Sequence, residues 1–193
     1  MRIHSMIIGA VAAVAVAGAA LANEFAAPIT KLADSEVRLW IKDQAVVDAV
    51  KAQNLKHAAL TQAEIDALDK KWRAETGASS QPMIKAVMSN ALSKFLKAKK
   101  DGSKGVYTEI FVMDNKGLNV GQSDVSSDYW QGDEAKWKKT YAVGAKAIHI
   151  SDVEKDESTQ TFQSQLSLPV VDPANNQVIG AITLGINVEQ LAH

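Results

Sequence analysis

The chain has no cysteine, only 4 prolines and 11 glycines in 193 residues, and almost no net charge. Each shortage removes a class of function. Without cysteine there is no disulfide, no Cys-ligated zinc or iron–sulfur cluster, no thiol nucleophile and no redox pair, so any chemistry falls to oxygen and nitrogen side chains. A formal charge of −1, from 21 Lys and Arg against 22 Asp and Glu, gives no general attraction to a phosphate backbone or an anionic membrane, and no nucleic-acid partner is expected. A composition with 47% hydrophobic residues and few breakers excludes disorder and fits one compact domain or two very small ones. Beyond its first segment the chain has no apolar run near the ~20 residues that cross a membrane. It also lacks H-E-x-x-H and H-x-x-x-H spacing, an EF-hand loop, a G-x-S-x-G elbow, a Walker A motif and a strand-to-helix G-x-G-x-x-G turn. No metal, cofactor or enzymatic activity is therefore expected. Neighbouring carboxylates such as Asp133 and Glu134 point different ways on a helix and cannot be given acid and base roles from their spacing.

What is present starts with an address. Arg2 and His4 precede a small-apolar run from Met6 to Ala22 that closes on Ala20-Leu21-Ala22, the layout of a cleaved signal peptide over residues 1–22 and of a periplasmic protein beginning at Asn23. An anchor that stays attached is the alternative. Against it, the run is short, rich in Ala and Gly, and followed by Asn23-Glu24 instead of a basic flank.

Residues 23–105 read as helical. Val37, Trp40, Ile41, Val47 and Val50 recur at mostly helical spacing, predicting one long helix from Asp34 to about Asn54 with Asp34 or Ser35 as its cap. Thr61 and Glu64 fit a capping box, with Leu60 and Ile65 as its staple, opening a helix that buries Ile65, Leu68 and Trp72 and stops at Gly77. Pro82 opens a third, whose core stripe is Ile84, Val87, Met88, Ala91, Leu92, Phe95 and Leu96, ending at Asp101-Gly102. The lysines from Lys97 to Lys104 are a solvated helix end, where cations suit the dipole.

Near Val106 the period changes from helical to alternating. Tyr107 to Asp114 and Leu118 to Ser123 form a hairpin around Asn115-Lys116-Gly117, and a short helix is expected around Glu134 to Tyr141. Strands follow at Ala147 to Ile150, Gln160 to Val171 and Val178 to Asn187. The fold class is α+β: a five-stranded antiparallel sheet over residues 106–193, forming one globular unit with the long N-terminal helices packed on one face.

Three features of this second part resemble the PDC, or Cache, family of PAS-like extracellular sensor domains. They are the strand ending in Asp114-Asn-Lys-Gly117, the aromatic and polar segment from Ser127 to Trp137, and the closing hairpin from Ser167 to Leu191. The resemblance implies a sensor that binds a small ligand, often a carboxylate or an amino acid, between its sheet and the segments covering it. Such domains are usually flanked by two transmembrane helices and followed by an output module. This chain ends at His193 after the last strand, so a free-standing exported form is expected to signal through a separate partner such as a membrane sensor kinase or receptor.

The candidate ligand residues lie around that aromatic segment. Tyr129, Trp130 and Trp137 offer broad apolar contact with one donor each, beside Lys136 and a helix start that attracts anions. Alternation along β-structure predicts that Phe162 and Ser164 point inward with Leu166; Phe111 and Thr183 are weaker members. His149, between two isoleucines, is expected to be half-exposed and structural, and His57 and His193 stand isolated. The expected function is a periplasmic small-molecule sensor domain. Its rivals are an exported interaction module with a filled pocket, dimerising or docking through the N-terminal helices, and a hydrolase of unrecognised type.

Overall fold

The computed structural model describes residues 23–155 and 160–191; the expected signal peptide over residues 1–22 lies outside them. Among the described residues, no helix is long and apolar enough to cross a membrane.

The first helical stretch begins earlier than its sequence suggests. α1 (Ala26–Leu32) passes through a π-helical turn, Ala33–Val37, into the short α2 (Arg38–Trp40). Asp34 and Ser35 sit inside this stretch and cap nothing. Its buried stripe is Ile29, Ala33, Val37 and Ile41, a strict spacing of four. Because an α-helix turns once per 3.6 residues, that spacing drifts by about 40° at each step, and the wider π turn takes up the drift. Asp43 then leaves helical geometry, accepts a bond from the Ala45 N–H and starts α3 (Gln44–Lys56). The single long helix expected from Asp34 to Asn54 is thus two, divided by a cap.

α4 (Gln62–Thr76) carries the expected capping box, with both reciprocal Thr61 and Glu64 bonds formed, and ends at Gly77. The expected third helix is also divided. α5 (Pro82–Met88) stops before Asn90, whose side chain accepts from the Ser93 N–H and donates to the Val120 carbonyl, launching α6 (Ala91–Gly102). Leu92 and Leu96 are buried as expected, whereas Ala91, at the first turn of the new helix, is exposed. Gly121 lets α6 approach the sheet: a Cβ there would lie 2.8 Å from Leu92 Cγ.

The sheet contains β1 (Tyr107–Met113), β2 (Asn119–Gln122), β3 (His149–Ile150), β4 (Glu154–Lys155), β5 (Phe162–Val171) and β6 (Val178–Asn187). All pairs are antiparallel, in the order β2-β1-β6-β5-β3, with β4 also on β5. The five strands expected gain a sixth because the edge segment pairs twice with β5, at Ile150↔Leu166 and again at Lys155↔Phe162.

One face of the sheet carries Ile110, Val112, Leu166, Leu168, Val170, Ile182, Leu184 and Ile186 and shares its core with α1, α3 and α6. Helices and sheet therefore bury a common apolar surface, at roughly 25 cal/mol for each Å² removed from water. The opposite face carries Phe111, Met113 and Ala181 and is covered in turn by Trp137 and Tyr141 around the short helix α7 (Ala135–Lys138). The chain closes on α8 (Val188–Leu191).

Candidate functional site

After β2 the chain passes beside the β1–β2 turn before crossing the sheet. Leu118 and Trp130 form a bridge, and the Gln131 N–H donates to the Gly117 carbonyl at 2.8 Å. Gly117 is required here: its φ is +83°, and a Cβ would fall 2.4 Å from Gly132 Cα. Asp69 of α4 fixes the segment by accepting from the N–H groups of Tyr129 and Trp130 at 2.9 and 3.0 Å, while Arg73 ties Asp69 to Asp128.

Two of the expected ligand residues are consequently packed into a second apolar cluster. Tyr129 stacks on Trp72 at 5.4 Å between ring centroids, and Trp130 packs there too, with its indole N–H donating to the Lys116 carbonyl at 2.8 Å. Two others lie elsewhere again. Ser164 is fully buried but, in phase with Leu166, on the helix side, where its hydroxyl donates to the Ser151 carbonyl and accepts from the Asn23 amide. Phe162, expected to point inward, is 47% exposed, because the start of β5 reaches the short strand β4 beyond the helical cover. Trp130 and Phe162 thus share no cavity. Of the expected segment, Tyr129 and Trp130 stay with α4 and α5, and only the part around Trp137 covers the face opposite to the one carrying Ser164.

Phe111, Lys136, Trp137 and Thr183 do come together, on that opposite face. Trp137 stacks on Tyr141 at 4.7 Å and its indole N–H donates to the Asp114 carbonyl, which moors α7 across β1. The Lys136 ammonium sits 5.3 Å from the centroid of the Phe111 ring, a cation–π distance, and reaches Glu134 at 2.9 Å and the Gln131 side-chain carbonyl at 3.2 Å. Beneath them a row runs across four strands, His149, Ser167, Thr183 and Phe111, each paired in register with the next. The hydroxyls of Ser167 and Thr183 are 3.0 Å apart and fully buried.

Beside this row a cleft of about 320 Å³ opens between the start of α7 and the sheet. Glu134 and Lys136 form one wall; His149, Ser151 and Glu154 form the other, with Gln163 and Gln165 on its floor. Gln165 donates to Glu109 at 3.2 Å and takes the Ser151 hydroxyl on its N–H. Burial first, and then the charge of Lys139, hold the His149 imidazole below its ordinary pKa, with Asp152 opposing them. At neutral pH His149 is therefore an uncharged donor and acceptor, half-buried at the cleft. Glu134, Ser151, Glu154, Gln163 and Gln165 escaped the sequence reading. The alternation that put Ser164 with Leu166 also puts both glutamines on the other face, so their signal was present and the covered face was misassigned.

Among the described residues no group of three His, Cys, Asp or Glu side chains is arranged to hold a metal ion. His57, isolated in sequence, is buried against Asp114 at 2.8 Å.

An antiparallel sheet backed by long helices on one side, with a short helix over a polar cleft on the other, is an α+β architecture. No family model matches the chain, and no curated protein matches it. Among solved structures it is similar to the sensor domain of the histidine kinase DctB of V. cholerae, with TM-score 0.47 and 14% identity over 86% of this chain and 53% of that one. It is also similar to the sensory domain of the Campylobacter jejuni chemoreceptor Tlp3 with isoleucine bound, with TM-score 0.40 and 15% identity over 84% of this chain and 63% of that one. A third, the ligand-binding domain of the Pseudomonas fluorescens chemoreceptor CtaA in complex with L-serine, has TM-score 0.39 and 11% identity over 67% of this chain and 60% of that one. These three are a sensor domain, a sensory domain and a ligand-binding domain of a histidine kinase and two chemoreceptors. The chain spans between about half and two thirds of their length, and at such distances the case for the cleft stands on its own residues.

Proposed function

We propose that this protein is a small-molecule sensor domain whose cleft between α7 and the sheet takes a small amino acid, and that it signals through a separate membrane partner. One observation carries the reading: a single small cleft is lined by both signs of charge, Lys136 with its ion-pair partner Glu134 on one wall and Glu154 on the other, with uncharged donors and acceptors between them. A zwitterion matches that layout, its carboxylate toward Lys136 and its ammonium toward Glu154 across the cleft. A plain dicarboxylate would set a second negative group against two carboxylates already there. The volume suits a compound of about the size of an amino acid. Phe111 positions the Lys136 ammonium through its cation–π contact, and Trp137 holds the covering helix in place. The periplasmic location expected from the first segment fits a domain that meets external solutes.

The test is calorimetry and thermal shift of the protein against the natural L-amino acids and against mono- and dicarboxylates of similar size. An amino acid raises the melting temperature, since a ligand at 100 times its dissociation constant adds about 2.7 kcal/mol, and the carboxylates do not. Lys136→Ala weakens the binding by about tenfold or more, the scale of a lost charge-assisted hydrogen bond. Binding of carboxylates alone, or unchanged affinity in Lys136→Ala, overturns the assignment.

A further inference from the structure

On the helix side of the molecule, away from the cleft, α3, α4 and α5 leave between them a groove of about 600 Å³. Its walls are apolar, built from Leu60, Leu68, Met83 and Val87, and Lys56 and Lys71 stand on its rim. None of the residues lining it is Asp or Glu. Through Gln53, Lys56, Asn90 and Val120, which line both, the groove continues into a second trough of about 590 Å³ along Ala45, Ala49 and Ala52 of α3.

Two buried polar groups reach the groove without a partner for their free atoms. His57 is 6% exposed, and its Nδ1 lies 2.8 Å from Asp114 Oδ2. Asp114 also accepts from the Gln53 amide and from the N–H groups of Lys116 and Leu118. With Nδ1 donating its hydrogen to Asp114, Nε2 is left as an acceptor, which a carboxylate cannot use. No described residue bonds that nitrogen. Tyr129, 5% exposed, likewise has a hydroxyl with no acceptor among the described residues. Burial, and then the charge of Asp114, push its pKa up, so the phenol remains a donor. Buried polar groups ordinarily find partners. The Tyr129 phenol, a donor without a protein partner in a groove rimmed by Lys56 and Lys71 and with no Asp or Glu in its lining, marks a place for an anionic head on an apolar body.

We propose that this groove is a second ligand site, for an amphipathic carboxylate such as a medium-chain fatty acid. The chain lies along the apolar walls toward α3, and the carboxylate meets Lys56 or Lys71 and the Tyr129 hydroxyl. The site is independent of the amino-acid cleft, which lies across the sheet.

Decanoate and decylamine, both below their micellar concentrations, are titrated calorimetrically into the full-chain protein. Decanoate binds and decylamine does not. Reversing the rim charges with Lys56→Glu and Lys71→Glu together weakens decanoate binding by about tenfold or more. Both lysines are exposed, so the doubly substituted protein keeps its melting temperature. Ala86→Trp, also at an exposed lining position, fills the groove and abolishes binding, whereas Lys136→Ala in the cleft leaves it unchanged. The proposal is overturned by an absence of decanoate binding to the unaltered protein, by equal binding of the amine, by unchanged affinity in the charge-reversed variant, or by loss of decanoate binding in Lys136→Ala.

Discussion

Trp130 illustrates how a side chain with every chemical credential for a ligand site can be spent on packing. Its indole N–H is taken by the Lys116 carbonyl, its backbone N–H by Asp69, and its ring by the cluster around Trp72 and Leu118. Trp130→Ala is therefore expected to cost about 3 kcal/mol of stability, as large-to-small core changes do. Affinity at the cleft should stay within about twofold, because the ring does not line it. Chemical denaturation with calorimetry of the same variant separates the two effects; a folded variant of native stability that no longer binds would return Trp130 to the ligand. His149 supplies the pH test. Its pKa is depressed in the folded protein by burial and Lys139, so the unfolded chain takes up the proton first on acidification. Its contribution is present above the ordinary imidazole pKa of about 6.5 and is lost as pH falls through the folded value. Urea melts at pH 7.5 and pH 5 should show His149→Gln losing less stability than the unaltered protein. At this scale the sequence showed residue types and faces. It hid partners such as His57 and Asp114, separated by 57 positions and joined only by the fold.

Among the elements, α4 was legible because its start signal is local: Thr61 and Glu64 bond one another across three residues. The breaks before α3 and α6 were not, because a continuous helical period ran through both and a single cap interrupted it each time. Asn90 makes that interruption and also holds the Val120 carbonyl of β2. Asn90→Ala removes both bonds and should cost about 1–2 kcal/mol, in the range of lost helix caps, read as a lower denaturation midpoint with unchanged slope. No change in the midpoint would mean that α5 and α6 can run on as one helix. β3 lies inside the strand expected from Ala147 to Ile150, but β4 escaped for a different reason: it is two residues long, too brief for alternation to be visible, and only its neighbour β5 defines it.

For the whole molecule, the α+β class and the antiparallel sheet followed from one change of period near Val106. Which sheet face lies under which segment did not, since alternation labels two faces without saying what covers either. That ambiguity moved the candidate site from the side of Ser164 to the side of Gln165. The closing hairpin proves more central than an edge. β6 pairs with β1 along one side and β5 along the other, from Tyr107↔Ile186 to Val171↔Val178. Removal of residues 168–193 takes out β6 and much of β5, and should abolish cooperative unfolding; a truncated protein that still melts in one sharp transition would contradict this strand order.

The same strand order sets the route by which the chain can find its structure. The β1–β2 and β5–β6 hairpins are each made of near neighbours in sequence and can form on the microsecond scale of isolated hairpins. Neither joins the other until β1 meets β6, as at Val112↔Ile182, a closure that spans the whole covering segment and both edge strands. Pairings that distant pay their loop entropy before any contact repays it. The docking of two preformed hairpins is thus the slow event, and substitutions at the β1–β6 seam will slow refolding more than equally destabilising ones inside either hairpin.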